Sequence, residues 1–425
     1  MFVGKLVRYP LGKCSANGHC ASARPSSWVI CTISSMKLAV LKERWADEAR
    51  TPISPDSAKK YIALGFEVLI EAGAGEGASI SDTSLTEAGA KIVSSPEDAI
   101  PDSDIVLTVQ RPFSLTDEGT DQVAMMKSGA ILIGTLSALT NSDQVEIYSK
   151  QGITAFALEL LPRISRAQSM DVLSSQSNLA GYKAVLDAAH EYNSAFPMLM
   201  TAAGTIAPAR VLVLGAGVAG LQAIATARRL GAVVSAYDVR PGVKEQVESL
   251  GASFVEVDPN ALKDVETVGG YAKEMTDEYK VRQEEILKEA LIKTDIAICT
   301  ALIPGRSAPV LITEETVERM KTGSVIVDLA VEQGGNCSIS EYRNVVTKHG
   351  VVIIGYANVP SRLAADASKL YARNLLNFVT PLVDPQAKKL AINWEDEIVK
   401  SCLVSHNGKV VHPDIVKNLG KKRAS

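Results

Sequence analysis

The chain has 425 residues, a formal net charge of −4 and six cysteines. This length allows about two or three domains with a large buried core. The charge excludes the overall basic character that nucleic-acid-binding and lipid-binding proteins show, the scattered cysteines exclude a disulfide framework, and no apolar run approaches the roughly 18 residues of a membrane-spanning helix.

Residues 1–35 differ in composition from the rest of the chain. They contain no Asp or Glu but carry several basic residues and six serines, as organelle transit peptides do. A disordered extension and a start codon placed too early, ahead of Met36, are the alternatives that composition leaves open. Cys14, His19 and Cys20 lie in this segment, but no second ligand pair with zinc spacing follows. We therefore expect no metal site.

From Met36 onward, short apolar runs alternate with helix-favouring segments, a pattern typical of α/β domains. Ser54 and Pro55 begin a predicted helix that Gly65 ends. This first unit predicts a doubly wound domain, although none of its strands leads into a full G-x-G-x-x-G motif. Its predicted strands are 37–41, 67–71, 92–93, 105–109, 130–135 and 155–158. A polar, irregular stretch follows at 161–177, and a helix is predicted over 178–193.

A glycine motif then marks the second unit. Gly215, Gly217 and Gly220 follow an apolar strand and open an Ala-rich helix, so that backbone N–H groups at the helix start can approach a pyrophosphate. Asp238 ends the next strand, eighteen residues after Gly220, where an acid can accept hydrogen bonds from an adenosine ribose. This order predicts NAD(H) binding, with a purely structural turn as the alternative. Arg240 is the kind of cation that can accommodate the 2′-phosphate of NADP.

After Asp238, the sequence predicts further elements of this second unit and then a C-terminal segment that belongs to the first unit. A long polar segment, 258–285, predicts either a lid or disorder. Strand patterns resume at 296–299, 324–328 and 351–355. After residue 361 the sequence predicts a helix at 364–378, followed by a loss of the strand pattern, and we expect this end to pack on the first unit.

These patterns predict an α/β protein with two doubly wound, Rossmann-like domains and parallel sheets, the first of them discontinuous in sequence. We assign residues 1–35 to an extension. The first domain comprises 36–180 together with 362–425, and the NAD(H)-binding domain comprises 181–361.

Several separate segments resemble the alanine dehydrogenase/transhydrogenase superfamily. They are RTPISP at 50–55, PRISRAQSMDVLSSQSN at 162–178, GAGVAG at 215–220 with YDVR at 237–240, and TALIPG at 300–305. The second of these, with the pair Gly270 and Tyr271, resembles more narrowly the NAD(H)-binding alpha subunit, or domain I, of proton-translocating NAD(P) transhydrogenases. The resemblance extends from about Met36 to the C-terminus.

The resemblance implies a set of site residues. Arg163, Gln168 and Asp171 match the loop beside the nicotinamide ring, and Tyr271 matches the aromatic residue of a mobile lid. Matches to NAD(H) contacts are Arg163, Ile164, Ser165, Arg166, Gln168, Ser174, Val218, Asp238, Val239, Arg240, Gly270, Gln283 and Leu302. Plainer interpretations stay open: the two arginines as solvated charges, Gln168 and Asp171 as caps of the next helix, and Tyr271 as a buried anchor.

The resemblance also implies an activity and an assembly. Hydride would pass between NADH on this chain and NADP⁺ on a beta-type partner subunit, with Si-specific, Re-face stereochemistry and coupling to proton translocation. A homodimer would dock onto the NADP(H)-binding partner, which membrane-spanning domains carry. The chain would then be cytoplasmic and peripheral at an inner membrane, or in the mitochondrial matrix or a plastid if residues 1–35 form a transit peptide.

Two departures separate this chain from alanine dehydrogenases. Those enzymes place a Lys in the motif that matches Gln110 and a His in the motif that matches Ser137, whereas Arg50 matches an arginine that both groups share. Oxidation of an amino acid needs a general acid or base, which neither Gln nor Ser supplies. Hydride exchange between two nicotinamide rings needs only their alignment. The alternatives are an amino-acid dehydrogenase with a rearranged site and an NAD(H)-binding subunit without turnover.

Overall fold

The computed structural model of the protein describes residues 35–257, 277–303 and 305–424. Strands and helices alternate along it, as expected. The strands are β1 Met36–Val40, β2 Phe66–Glu71, β3 Lys91–Val93, β4 Ile105–Leu107, β5 Ile131–Gly134, β6 Thr154–Ala157, β7 Leu199–Thr201, β8 Gly204–Ile206, β9 Arg210–Leu214, β10 Val233–Tyr237, β11 Ser253–Phe254, β12 Ile296–Cys299, β13 Val325–Asp328, β14 Val345–Lys348, β15 Val351–Ile354, β16 Val383–Asp384, β17 Lys389–Leu390, β18 Leu403–His406 and β19 Lys409–Val410.

The α-helices are amphipathic segments that cover the sheets, and several begin at a capping residue. Ser54, for example, forms a capping box with Ser57 at the first helix, which satisfies backbone donors that the helix start leaves open. The helices are α1 Pro55–Ala63, α2 Asp82–Glu87, α3 Pro96–Ala99, α4 Ser142–Lys150, α5 Val172–Glu191, α6 Val218–Arg229, α7 Lys244–Ser249, α8 Asp277–Ile292, α9 Glu314–Arg319, α10 Ala364–Val379, α11 Glu397–Cys402 and α12 Pro413–Ala424.

Two large sheets confirm the predicted fold class. The first has eight strands in the order β19-β18-β6-β5-β4-β1-β2-β3, and the second has seven in the order β11-β10-β9-β12-β13-β15-β14. The parallel strands of each sheet follow the 3-2-1-4-5-6 order of doubly wound folds. Antiparallel strands extend one edge of each sheet, namely β18 and β19 in the first and β14 in the second. Both sheets are therefore mostly, rather than wholly, parallel.

The C-terminal segment differs from the sequence expectation. The sequence pattern predicts no strand after residue 378, yet β18 pairs with β6, and β19 pairs with β18. That expectation is wrong because these strands are short and lie between helices, so that neither offers an alternating pattern long enough to recognise. The first sheet is consequently built from both ends of the described chain.

The helix that follows the polar loop also begins earlier than predicted, at Val172 instead of Asn178. The cause is Asp171, whose side chain accepts a hydrogen bond from the backbone N–H of Ser174 and so caps the helix. Farther along α5, a Cβ on Gly181 would lie 2.0 Å from the carbonyl oxygen of Ala219, in the first turn of α6. Only glycine permits this close crossing, which connects the polar loop to the glycine motif through two packed helices.

A small hairpin lies apart from both sheets. Within the part of the chain that the structure describes, the strands β7 and β8 pair only with each other, and all six of their residues are exposed. Among the described residues, no helix has the length and apolar character needed to cross a membrane.

Candidate functional site

The three motif glycines have different reasons to be glycine. Gly215 has φ +98°, and a Cβ there would lie 2.6 Å from Thr300 Oγ1. A Cβ on Gly220 would lie 1.8 Å from the carbonyl oxygen of Gly215. A Cβ on Gly217 would meet no atom of the described residues within 4 Å. Internal packing therefore requires the first and last glycines, whereas Gly217 leaves open space at the start of α6, where a bound phosphate would receive backbone N–H groups.

A second loop closes over the glycine motif and carries Leu302, which is 40% exposed. Thr300 Oγ1 donates a hydrogen bond to the carbonyl oxygen of Gly215 at 2.9 Å. Asn336, fully buried, donates from Nδ2 to the carbonyl oxygens of Ala301 and Pro309 and accepts from the backbone N–H of Ala301. Thr300 and Asn336 thus shape the site. Thr300 begins the TALIPG segment that carries part of the family resemblance, but the sequence assigns neither residue a role, because nothing in the local pattern marks a residue that acts on a distant loop.

Asp238 lies at the end of β10, where the motif predicts it, and is 7% exposed. Its Oδ2 accepts a hydrogen bond from the backbone N–H of Ala216 at 2.7 Å, so the acid is tied to the glycine motif itself. Arg240 donates to the same carboxylate from its backbone N–H and its guanidinium. The acid and the cation, each predicted separately, therefore form one ion pair beside the glycine motif.

The loop predicted to lie beside the nicotinamide ring forms a 3₁₀ helix, Ser165–Met170. Gln168 is exposed, and its side chain makes no hydrogen bond to another described residue. Asp171 accepts hydrogen bonds from the backbone N–H and the hydroxyl of Ser174, at 2.9 and 2.5 Å, which is the capping role of the plainer interpretation. Arg166 forms a bidentate ion pair with Asp396 at 2.8 Å.

The structure describes most of the remaining predicted contacts. Val218 is exposed at the first position of α6, and Val239 and Arg240 are half-buried beside Asp238. Gln283 lies half-buried on α8, and Arg163 and Ser165 are exposed. Ile164 packs against the core of the first sheet. Gly270 and Tyr271 lie outside the described residues.

A buried polar cluster surrounds Arg50, which is 9% exposed. The guanidinium forms two hydrogen bonds with Glu48, at 2.8 and 2.6 Å, and donates at 2.9 Å to Gln176 Oε1. Gln110 donates to Glu48 at 2.8 Å. Although burial raises the pKa of Glu48, the hydrogen bond and charge of Arg50 more than offset this, and the pKa lies below its ordinary value.

Two half-buried glutamates hold the loops at the carboxyl ends of β4 and β5. Glu43 accepts hydrogen bonds from the backbone N–H groups of Val109 and Gln110, and Glu159 accepts them from Leu136 and Ala138. Burial, with the nearby charge of Glu48, raises the pKa of Glu43 to about 8. These carboxyl groups therefore support the loops on which Gln110 and Ser137 lie.

Within the described regions of the chain, no group of three or more His, Cys, Asp or Glu side chains could hold a metal ion. The described cysteines, Cys299, Cys337 and Cys402, are buried free thiols. Burial raises the pKa of all three thiols, which opposes formation of a reactive thiolate.

Two protein-family descriptions match the chain. "Alanine dehydrogenase/PNT, N-terminal domain" matches residues 39–180, and "Alanine dehydrogenase/PNT, C-terminal domain" matches residues 184–413. Among sequence relatives, the first segment of the divided NAD(P) transhydrogenase alpha subunit of Rhodospirillum rubrum is 61% identical over 378 residues, which cover 89% of this chain and 98% of the relative. The alanine dehydrogenase of Halomonas elongata is 28% identical and covers 91% of this chain and 97% of its own length.

Solved structures show the same two groups. A transhydrogenase from Sinorhizobium meliloti superposes with a TM-score of 0.78 at 49% identity, over 88% of this chain and 100% of that chain. An L-alanine dehydrogenase superposes with a TM-score of 0.75 at 26% identity, over 91% of this chain and 99% of that chain. The fold is thus common to both groups, and sequence identity is higher to the transhydrogenases.

Proposed function

Because the chain belongs to the alanine dehydrogenase/PNT family and is more similar to transhydrogenase alpha subunits than to alanine dehydrogenases, we propose that it binds NAD(H) in its second domain. Hydride then passes directly between this nucleotide and NADP(H) held by a separate partner subunit. The protein contributes binding and alignment to this exchange.

The observation that carries the proposal is the open space at Gly217, with Asp238 tied to the same motif. The space lies at the N-terminus of a twelve-residue helix, where unpaired N–H groups and the helix dipole favour a pyrophosphate. Asp238 lies where an adenosine ribose would follow. Open space and an acid at these two positions suit a dinucleotide better than a purely structural turn.

The residues at the two positions that differ from alanine dehydrogenases, Gln110 and Ser137, favour transhydrogenation over amino-acid oxidation. Gln110 is a neutral amide that donates to Glu48, and Ser137 is an exposed hydroxyl residue with φ 49°. Neither group can exchange a proton near neutral pH. Exchange of hydride between two nicotinamides requires only that the rings are held at a distance of roughly 3–3.5 Å in the correct orientation.

We assign roles to the loop residues on the same basis. The Gln168 carboxamide is exposed and holds the nicotinamide or its ribose in the reactive pose, while Asp171 fixes the start of α5 and Arg163 reaches toward the pyrophosphate or the nicotinamide amide. Gln283, Leu302 and the residues of 163–174 that the family resemblance names complete the set of proposed contacts. Gly270 and Tyr271 would form the lid.

The assembly is proposed from the relatives' names. Their names describe an alpha subunit, which in some relatives is itself divided into separate chains. This supports a complex in which other chains carry the NADP(H) site, the membrane domains and the coupling to proton translocation. The chain would then act at the membrane surface through those partners, with Si-specific, Re-face hydride transfer.

We propose that the hairpin binds a second copy of this chain. An isolated two-stranded hairpin is at best marginally stable. This one exposes Leu199, Met200 and Ile206, and Met198, which precedes it, is also exposed. Its two free edges and apolar side chains would be covered if hairpins from two copies paired around a two-fold axis.

One comparison tests the proposed activity. Hydride transfer from NADH to thio-NADP⁺, whose reduced form absorbs at a wavelength distinct from that of NADH, is measured with the chain alone and with its NADP(H)-binding partner. Alanine with NAD⁺ and pyruvate with NADH and ammonium are tested in parallel. Transfer that requires the partner supports the proposal. Turnover of alanine or pyruvate by the chain alone would instead identify an amino-acid dehydrogenase, and absence of all turnover would leave a nucleotide-binding subunit.

A further inference from the structure

The loop that carries Gln168 is fixed from outside by a helix of the C-terminal segment. Asn374, on α10, donates from Nδ2 to the carbonyl oxygen of Ser169 at 2.9 Å. The other end of the same side chain, Oδ1, accepts a hydrogen bond from the hydroxyl of Ser175 at 2.7 Å. One amide group therefore joins the residue after Gln168 to the first turn of α5.

The Asn374 amide has a donor at one end and an acceptor at the other, each with its own partner, so other side chains cannot easily replace it. Asn374 is 7% exposed, so an acceptor placed there instead of its donor would face the Ser169 carbonyl oxygen where water has little access, which costs more than loss of a solvated hydrogen bond. Asn377 donates to the same carbonyl oxygen at 2.9 Å in an exposed hydrogen bond, and because Asn377 itself is only half-buried, water can take its place. Two asparagines on one helix thus make the same bond in different surroundings.

We propose that Asn374 is a positioning residue for hydride transfer, which it supports through the backbone beside Gln168. The inference rests on the proposed placement of Gln168 next to the nicotinamide ring. The Gln168 side chain makes no hydrogen bond within the described chain, so its position depends on where the backbone of the loop is held. A shift of the Ser169 carbonyl moves that backbone without touching the glycine motif or Asp238, which bind the rest of the nucleotide.

The test compares Asn374→Asp with the matched variant Asn377→Asp in the full chain with its NADP(H)-binding partner. Each substitution replaces a donor by a carboxylate oxygen that faces the same carbonyl. We expect Asn374→Asp to lower the rate of hydride transfer by about tenfold to a hundredfold, as small misplacements of reacting groups do, with the Kd for NADH within about twofold. Asn377→Asp should change both quantities by less than about twofold.

Gln168→Asn, alone and combined with Asn374→Asp, separates failure of this inference from failure of the proposed site. If both residues act through one loop, the double variant loses less than the product of the two single losses. A normal rate for Gln168→Asn would overturn the site on which the inference rests. A reduced rate for Gln168→Asn with a normal rate for Asn374→Asp would overturn the inference alone, as would losses that multiply fully.

Thermal unfolding of every variant shows whether the fold is retained. If Asn374→Asp does not fold, Ser175→Ala takes its place, because it removes the group that orients the Asn374 amide but leaves the donor in position. We then expect a rate loss of about threefold at unchanged NADH affinity. A normal rate, or a loss matched by weaker NADH binding, would contradict the positioning role.

Discussion

Arg240 donates hydrogen bonds to both oxygens of the Asp238 carboxylate. Oδ1 accepts hydrogen bonds from the Arg240 backbone N–H and Nε, both at 2.9 Å, and Oδ2 accepts one from Nη2 at 2.8 Å in addition to that of Ala216. A carboxylate offers about four lone-pair positions, and these four bonds use them. A ribose hydroxyl that binds Asp238 must therefore replace some of the Arg240 contact, which leaves the guanidinium available to the nucleotide.

Asp238→Ala should weaken NADH binding by about 1–3 kcal/mol, as expected for the loss of a charged hydrogen bond. The same change releases Arg240, so NADPH should lose less affinity than NADH or gain some. Isothermal titration with both nucleotides measures the two effects, with Glu256→Gln, an exposed pair to Lys244, as a charge-removing control. Equal affinity of the unmodified protein for NADH and NADPH would contradict the role assigned to Asp238.

A methyl group added at one glycine of the motif should affect NADH binding, whereas the same group added at another should affect folding. Gly217→Ala adds a Cβ in open space, so the free energy of unfolding should change by less than about 1 kcal/mol, while NADH affinity falls at least about tenfold. Gly220→Ala places the same group against the Gly215 carbonyl and should destabilise the fold itself. Denaturant unfolding and NADH titration of both variants decide this. Unchanged NADH binding by Gly217→Ala would indicate that no phosphate approaches there.

Gln168→Asn should affect chemistry more than binding. It withdraws the carboxamide by one methylene, so that the rings are less well aligned but the rest of the nucleotide site is intact. We expect the transfer rate to fall at least about tenfold, or roughly 1.4 kcal/mol at the transition state, with a much smaller change in NADH affinity. Stopped-flow rates on the reconstituted complex and NADH titration test this. A rate loss fully matched by lost binding would reduce Gln168 to a binding residue.

Glu43 should make stability depend on pH in a defined direction. Its carboxyl group has a pKa of about 8 in the folded chain but an ordinary value when unfolded. Between those two values the folded state holds the extra proton, so the free energy of unfolding should fall as pH rises through this window, by up to about 1.4 kcal/mol per pH unit. Below the window this effect is absent, and above it the full loss persists.

Glu43→Gln removes this titration, so its unfolding free energy should vary less with pH over the same window than that of the unmodified chain. Urea unfolding at several pH values, with m-values compared for consistency, measures the difference. Parallel curves for the two proteins would contradict the assignment.

The hairpin predicts an effect on assembly. Met200→Glu places a charge among the exposed apolar residues of β7 and β8 and should shift a dimer toward monomers. Light scattering across a range of concentrations measures this. Val416→Glu, at an exposed apolar position on α12, serves as the matched control and should leave the oligomeric state unchanged. A dimer unaffected by Met200→Glu would exclude the hairpin as its interface.

Sequence patterns predict the fold well wherever local rules apply. The alternation of strands and helices, the capped helix at Ser54 and the glycine motif all depend on neighbouring residues, and the structure shows them as expected. The short strands β18 and β19 escape prediction because the pairing of β18 with β6, a strand some 250 residues earlier, has no local signature.

In the candidate site, too, some features can be predicted from local sequence and others cannot. Asp238 can be placed from spacing alone, whereas its ion pair with Arg240, the Asn336 bonds to a neighbouring loop and the Asn374 bond to Ser169 depend on the packing of distant segments. Such contacts arise from tertiary structure, and no spacing in a single sequence encodes them.

The first sheet contains strands from both ends of the described chain. This has a consequence for biosynthesis. Domains usually fold in the order in which they emerge from the ribosome. Here the second sheet, with strands between residues 210 and 354, has all its strands before β18 and β19 are synthesised. Until then β6 is an unpaired edge on which another chain could add a strand. We therefore expect the first domain to mature last, and nascent chains stopped before Leu403 to be the ones that chaperones retain.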